Sequence, residues 1–233
     1  MSAMASSPKA RLSIVVPVLN EASTIERTLG ALASMRARGA EVIVADGGSS
    51  DGSAALAGPM ADAVIAAPRG RALQMNAGAA ASHGDVILFL HADTTLPIDA
   101  DSLILAALER GKAWGRFDVT IEGRSPMLPV IAALMNRRSR LTGIATGDQA
   151  IFVKRAAFFG AGGFPEQPLM EDIEMSVLLK ARSAPACLAQ CVTTSGRRWD
   201  THGAWRTIFL MWMLRLRYWL GAPADTLARV YHR

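Results

Sequence analysis

Hydrophobic residues fall into short, dense runs in the first hundred positions. Leu12-Ser-Ile-Val-Val-Pro-Val18 is β-branched and almost wholly apolar, which predicts a strand buried on both faces. Ser23-Thr-Ile-Glu26 has the spacing of a capping box, and Ile25, Leu29 and Leu32 follow at helical intervals before Gly39. Residues 41–45 predict a second strand, 53–60 a short helix, Val64-Ile65 a weak strand and 72–82 an Ala-rich helix. Asp85-Val-Ile-Leu-Phe-Leu90 is the clearest strand in the chain. This strand–helix alternation predicts an α/β fold: a doubly wound, mostly parallel sheet with helices on both faces.

The later pattern is less regular. Residues 113–122 read as a strand, Ser125-Pro126 as the N-cap and first position of a helix, 150–153 as a short strand, 171–181 as a helix, and 204–220 as a helix rich in aromatics and arginine. There is no repeat, low-complexity tract or long linker. The chain therefore reads as a loose tail over 1–10 and a single domain over 11–233.

Of the 233 residues, 51% are apolar and 19% charged, which excludes a disordered chain. The net charge of +5 is spread over scattered basic clusters rather than one arm, which disfavours nucleic acid and suits a phosphorylated small molecule or an anionic membrane surface. Cys187 and Cys191 have no second pair to complete a zinc site, so they read as free thiols of a reducing, cytoplasmic compartment. Trp205 to Trp219 interleaves aromatics with Arg206, Arg215 and Arg217. It reads as a core-packing or dimer helix, with peripheral attachment to the inner face of a membrane as the alternative.

Polar clusters follow the predicted strands, and ligands of doubly wound sheets bind at the strands' carboxyl ends. Asp46-Gly-Gly-Ser-Ser-Asp-Gly52 is a turn whose glycines admit an anion to the backbone, and whose aspartates suit a base or ribose. It reads equally as a plain strand-to-helix turn. In His91-Ala-Asp93, the carboxylate is placed to hold a divalent cation. Glu171-Asp172 opens a helix, where acids answer the helix dipole or act as a general base. Arg69-Gly-Arg71 lies before a helix start, where cations need an anionic partner.

In their order along the chain, these segments resemble glycosyltransferase family 2: Val15-Val-Pro-Val-Leu-Asn-Glu21, Asp46 to Gly52, Arg69 to Gly78, Gly84-Asp-Val-Ile-Leu-Phe-Leu-His-Ala-Asp93 and Glu171-Asp172. The resemblance implies an inverting enzyme of GT-A fold that moves a sugar from a nucleotide-diphosphate donor, UDP-linked by expectation. It implies a nucleotide-binding half over 11–95, an acceptor half over 96–200 and a C-terminal helix over 201–233. Pro17, Asn20, Glu21, Asp46, Gly48, Arg71, His91, Ala92, Asp93 and Arg197 would bind the donor, with Asp93 on the metal. Asp172, with Glu171 beside it, would be catalytic. Gly147, Asp148, Gln149 and Trp199 would face the acceptor.

Gly47 and His91 depart from the family's usual aspartates. A histidine ligand suits Mn²⁺ better than Mg²⁺, so Mn²⁺ is the expected cofactor. His91-Ala-Asp93, Gly147-Asp-Gln149 and Ser195-Gly-Arg-Arg-Trp199 further resemble a bacterial branch labelled arsenosugar-biosynthesis glycosyltransferases. A sugar-1-phosphate nucleotidyltransferase would carry a Gly-rich basic loop after the first strand, where this chain has Pro17-Val-Leu-Asn-Glu21. A non-catalytic nucleotide-sugar-binding protein is the further alternative.

Overall fold

The computed structural model describes residues 12–231, so the expected tail over 1–10 lies outside the described residues. The strands are β1 (Leu12–Val18), β2 (Glu41–Asp46), β3 (Ala63–Ala66), β4 (Val86–Phe89), β5 (Thr94–Thr95), β6 (Trp114–Glu122), β7 (Phe152–Lys154) and β8 (Ala186–Ser195). They form one sheet in the order β3-β2-β1-β4-β7-β6-β8-β5. β1 pairs parallel to both β2 and β4, and β2 parallel to β3. β7 runs antiparallel to β4 and β6, β6 and β8 pair parallel, and β5 runs antiparallel to β8.

The period-two alternation of β1 sorts its side chains between two cores. Leu12, Ile14, Val16 and Val18 pack with α1 (Ile25–Ala37), α4 (Ala100–Glu109) and α5 (Leu128–Thr142). Val15 faces the other way, towards α3 (Arg71–Ala81), α6 (Arg155–Gly160) and α7 (Glu171–Lys180). Helices therefore cover both faces, as a near-continuous apolar strand requires. α3 lies close on β1 because Gly78 has no side chain: a Cβ there would sit 2.3 Å from Val15 Cγ1.

Several local expectations are corrected. The Ser23 capping box does not form: Thr24 is the N-cap of α1 and its Oγ1 donates to Glu21 Oε2 at 2.9 Å instead. Ser125-Pro126 does not open α5, which is capped at Met127. The Arg124 and Ser125 amides are tied to the Asp200 carboxylate at 3.0 and 3.2 Å, holding that stretch out of the helix. The C-terminal region is three helices rather than one: α8 (Arg197–His202), α9 (Ala204–Trp219) and α10 (Ala224–Tyr231). α9 and α10 build a third small core with Leu169 and Met170, centred on Leu214 and Leu227. Among the described residues no helix is long and apolar enough to cross a membrane.

Candidate active site

One cavity of about 1150 Å³ opens at the carboxyl rim of the sheet. It is bordered by Pro17 and Glu21 after β1, by Arg71 and Gln74 of α3, and by His91, Ala92 and Asp93 after β4. Gly147 and Asp148, Asp172 of α7, and Arg197 and Trp199 of α8 complete it. Asp93 and Asp172, distant in sequence, thus face one space. Among the described residues, Asp93 makes no hydrogen bond or ion pair, so its carboxylate is available to a ligand.

The two adjacent acids of α7 divide. Glu171 is 1% exposed, lies outside the cavity lining and receives Arg71 Nη1 at 3.2 Å. Burial, then the charge of Asp172, pushes its carboxyl above the ordinary range. Its expected place beside the chemistry is therefore corrected to a support for Arg71. Asp172 points into the cavity; its Oδ2 accepts the Gly147 amide at 2.8 Å and its Oδ1 the Ile173 amide at 2.8 Å. Both oxygens retain a lone pair for another donor.

The 3₁₀ turn Gly147–Gln149 is closed by Gln149, whose Oε1 accepts the Thr146 amide at 3.3 Å and whose own amide donates to the Thr146 carbonyl at 2.9 Å. Gln149 is fully buried, with its Nε2 directed at Asn136 Oδ1 at 3.4 Å. It shapes the turn from behind and does not face the cavity, which corrects its assignment to the acceptor. Gly147 is required for close approach, since a Cβ would lie 2.4 Å from His91 Nε2. His91 Nδ1 lies 3.5 Å from Asp148 Oδ1, and its Nε2 is buried without a partner. Burial opposes ionisation of Asp148, but His91, with Arg71 and Arg215, outweighs it and holds the carboxyl below its ordinary range.

On the β2 side, Asp46 Oδ2 accepts the Gly48 and Ser49 amides, both at 3.0 Å, while its Oδ1 is buried without a partner. Asp46 stands beside Val18 in the sheet register, at the same rim as the cavity but outside its lining. Gly48 and Asn20 are also outside it. Asn20 Oδ1 accepts the Ser50 amide at 2.9 Å and its own amide donates to Ser49 Oγ at 2.9 Å, so Asn20 ties two loops together. Gly47 lacks a carboxylate because Gln74 fills its place: a Cβ would meet Gln74 Cδ at 2.9 Å. Gln74 Nε2 donates to the Val18 and Ala45 carbonyls, locking β1 to β2 beneath the cavity. Arg197 Nη2 approaches Glu21 Oε1 at 3.3 Å, closing α8 over the β1 loop.

The residues present meet a divalent cation only halfway. Among the described residues, no cluster of three His, Cys, Asp or Glu side chains is placed to hold one. The free Asp93 carboxylate fits a cation that arrives with oxygens of its own, as hard cations bound through one carboxylate plus substrate phosphates do. Arg138 and Arg215 also border the cavity and were not singled out from sequence as site residues. Their signal was positional: Arg138 falls on the same face of α5 as buried Leu128 and Ile131.

The Gly147–His91 contact yields a stability test. Gly147→Ala forces the imidazole to move, whereas in a His91→Ala background the added methyl group finds room. A double-mutant cycle by denaturant unfolding is expected to give a coupling of roughly 0.5–3 kcal/mol; additive effects would show that the ring does not rest on Gly147.

The profile of glycosyl transferase family 2 matches residues 13–161. No curated protein matches the chain. Among solved structures, Staphylococcus aureus TarS (residues 1–349) superposes with TM-score 0.64 at 16% identity, covering 79% of this chain. The chain spans only 60% of that TarS fragment, for which a complex with UDP-GlcNAc is also known. The mannosyltransferase PcManGT from Pyrobaculum calidifontis, in complex with GDP-Man and Mn²⁺, gives TM-score 0.68 at 19% identity over 97% of this chain and 69% of its own. Glucosyl-3-phosphoglycerate synthase from Mycobacterium tuberculosis, in complex with Mn²⁺, UDP and glucosyl-3-phosphoglycerate, gives 0.59 at 22% over 80% and 70%. With its α/β fold and the match over residues 13–161, the chain belongs to glycosyl transferase family 2.

Proposed function

We propose that the enzyme transfers a sugar from a UDP-linked donor to an acceptor hydroxyl with inversion, in a single displacement. The observation that carries this is the shared cavity of Asp93 and Asp172, one carboxylate free for a cation and the other backed by amides. Asp172 takes the proton of the acceptor hydroxyl; that oxygen bonds to the anomeric carbon as the bond to the diphosphate breaks. Gly147 and Ile173 amides hold the Asp172 carboxylate in place for this role. Arg71 and Arg197 answer the charge that develops on the diphosphate. Asp46 Oδ1, buried and unpartnered, suits the imide N–H of uracil.

Asp93 would hold the divalent cation together with the donor's own oxygens, and the cation, when bound, neutralises leaving-group charge. Mn²⁺ is preferred over Mg²⁺ because two of the structural neighbours hold Mn²⁺, while His91 is turned against Gly147. Gly147, Asp148 and Trp199 form the acceptor end. The resemblance to the arsenosugar branch points to a pentose or hexose as the transferred group.

Asp172→Asn should keep UDP affinity and lose transfer by about 10²–10⁴-fold, the usual contribution of a positioned base. Asp93→Asn should instead abolish the gain in UDP affinity produced by Mn²⁺. Calorimetry paired with a UDP-release assay separates the two. Full activity in Asp172→Asn would remove Asp172 from the mechanism.

The outer face of α9 bears on where the acceptor resides. Trp205, Phe209, Trp212, Leu216 and Trp219 recur at alternating intervals of four and three, and all are exposed. As the core-packing expectation has it, α9 packs inward through Thr207 and Leu214, with Leu210, Met213 and Tyr218 beside them, and its outer face leaves this stripe bare. Arg206 and Arg217 flank it, and no acid lies between Ala204 and Trp219. A second copy would bring arginines together, whereas an anionic lipid surface would attract them. The chain is expected to sediment with phosphatidylglycerol vesicles but not with phosphatidylcholine, and Trp205→Ser with Trp219→Ser should weaken this roughly tenfold or more. Absence of sedimentation, or a doubled mass in solution, would contradict the membrane reading.

A further inference from the structure

We infer that Arg138 and Arg215 form a second anion subsite in the cavity, one that receives a phosphate group carried by the acceptor. This rests on the proposed function, because it assigns the part of the cavity that the donor leaves open.

Three arginines stand close together around α5, and two of them already share the Asp118 carboxylate. Arg140 Nη2 reaches Asp118 Oδ2 at 2.6 Å. Arg116, fully buried on β6, is bonded to the same carboxylate through Nη1, and its Nη2 donates to the Asn136 carbonyl at 3.2 Å. Asn136 in turn exchanges hydrogen bonds with the Val119 backbone at 2.8 and 3.0 Å, so α5 is fastened to β6 and cannot roll.

Arg138 lies within this fastened stretch without a carboxylate of its own. Its Nε and Nη2 are shut from water and have no hydrogen-bond partner. Arg215 approaches from α9, and among the described residues neither of the two is paired with an acid. Burial, and after it the charge of Arg215, lowers the Arg138 guanidinium to about 10. An unpaired buried cation beside a second cation is destabilising. A dianionic phosphate at the cavity wall between them would answer both charges.

This pair adjoins the proposed acceptor end, whose acids Asp172 and Asp148 also act on Arg71. The acids that act on the pair are Asp172, which favours the Arg138 charge, and Asp148, which Arg215 stabilises as a carboxylate. Both belong to the acceptor end. Arg197, by contrast, pairs with Glu21 after β1. Around the whole cavity six arginines face four carboxylates, and Glu171 behind the lining answers Arg71. A nucleotide-diphosphate sugar carrying a divalent cation is roughly neutral, so donor binding leaves that excess of positive charge unanswered. Leu134 and Trp212 border the cavity and are themselves exposed, which joins this side of the mouth to the bare stripe of α9.

The test titrates the full chain with glycerol 1-phosphate, alone and after saturation with UDP and Mn²⁺, for wild type, Arg138→Gln and Arg215→Gln. Phosphomonoester binding should survive UDP saturation and weaken roughly tenfold or more in each variant, while UDP affinity stays within about threefold. Without ligand, Arg138→Gln should melt no lower than wild type, because the unpaired charge is gone; a purely structural arginine would give the opposite. A parallel arm uses phosphatidylcholine vesicles doped with phosphatidic acid or, for comparison, phosphatidylglycerol. Arg138-dependent binding of glycerol 1-phosphate assigns a free acceptor. Arg138-dependent preference for phosphatidic acid alone assigns a lipid one. Phosphomonoester binding that UDP abolishes, that both variants retain in full, or that is absent from both arms overturns the subsite. UDP binding without Arg138-dependent phosphate binding leaves the donor reading standing and removes this inference; the reverse result removes the donor reading and keeps the subsite.

Discussion

Because β1 runs parallel to both β2 and β4, the chain after each of these strands emerges at the same rim. The polar segments that follow must then share that edge: the loop after Val18, the turn after Asp46 and the His91-Ala-Asp93 segment. Gln74 reinforces the arrangement by donating to the carbonyls of both Val18 and Ala45, which fixes the ends of β1 and β2 relative to one another. The antiparallel β7 brings the 3₁₀ turn before it to this rim as well, so that Gly147 meets Asp172 of α7. Parallel pairing thus places the loops proposed to bind the donor, and one antiparallel strand places the turn proposed to face the acceptor.

Within that frame the carboxylates do different work according to their surroundings. Asp93 is left free, Asp172 is steadied by backbone amides, Glu171 is buried under Arg71, and Asp118 neutralises two arginines away from the cavity. The arginines of the cavity divide in the same way: Arg71 and Arg197 are paired with acids, while among the described residues Arg138 and Arg215 are not. Of the buried side-chain atoms without a partner, Asp46 Oδ1, His91 Nε2 and two Arg138 nitrogens lie around the sheet rim and the cavity, while Arg116 Nε and Thr146 Oγ1 belong to residues outside its lining. Buried polar groups are ordinarily hydrogen-bonded, so their concentration here points to ligands.

The sequence was most readable where burial is two-sided. β1, β2 and β4 are runs of Val, Ile and Leu, and their positions agree with the pattern to within a residue or two. β8 was not legible because it is half exposed and bulged: its pairing with β6 skips from Leu188 to Cys191. α4 carries a helical spacing at Ile104, Ala107 and Leu108, but no capping box marks its start. At the site, Asp93 and Asp172 could be picked out because acids beside apolar strand or helix starts stand apart. Which of Glu171 and Asp172 faces the cavity depends on the rotation of α7, and that is set by packing of Met175 and Leu179, not by local pattern. Gln149 is illegible for the same reason: its burial goes with a contact to Asn136, thirteen residues away.

The account stands on the cavity at the parallel rim being a nucleotide-sugar site completed by a cation at Asp93. The most direct measurement is a thermal-shift comparison of UDP-sugars and GDP-sugars with and without Mn²⁺, since a ligand that binds only the folded chain raises its melting temperature with saturation. A UDP-sugar that raises it in the presence of Mn²⁺, and does so much less without the cation, is the predicted result. Melting temperatures unmoved by any nucleotide-sugar, with or without Mn²⁺, would contradict it.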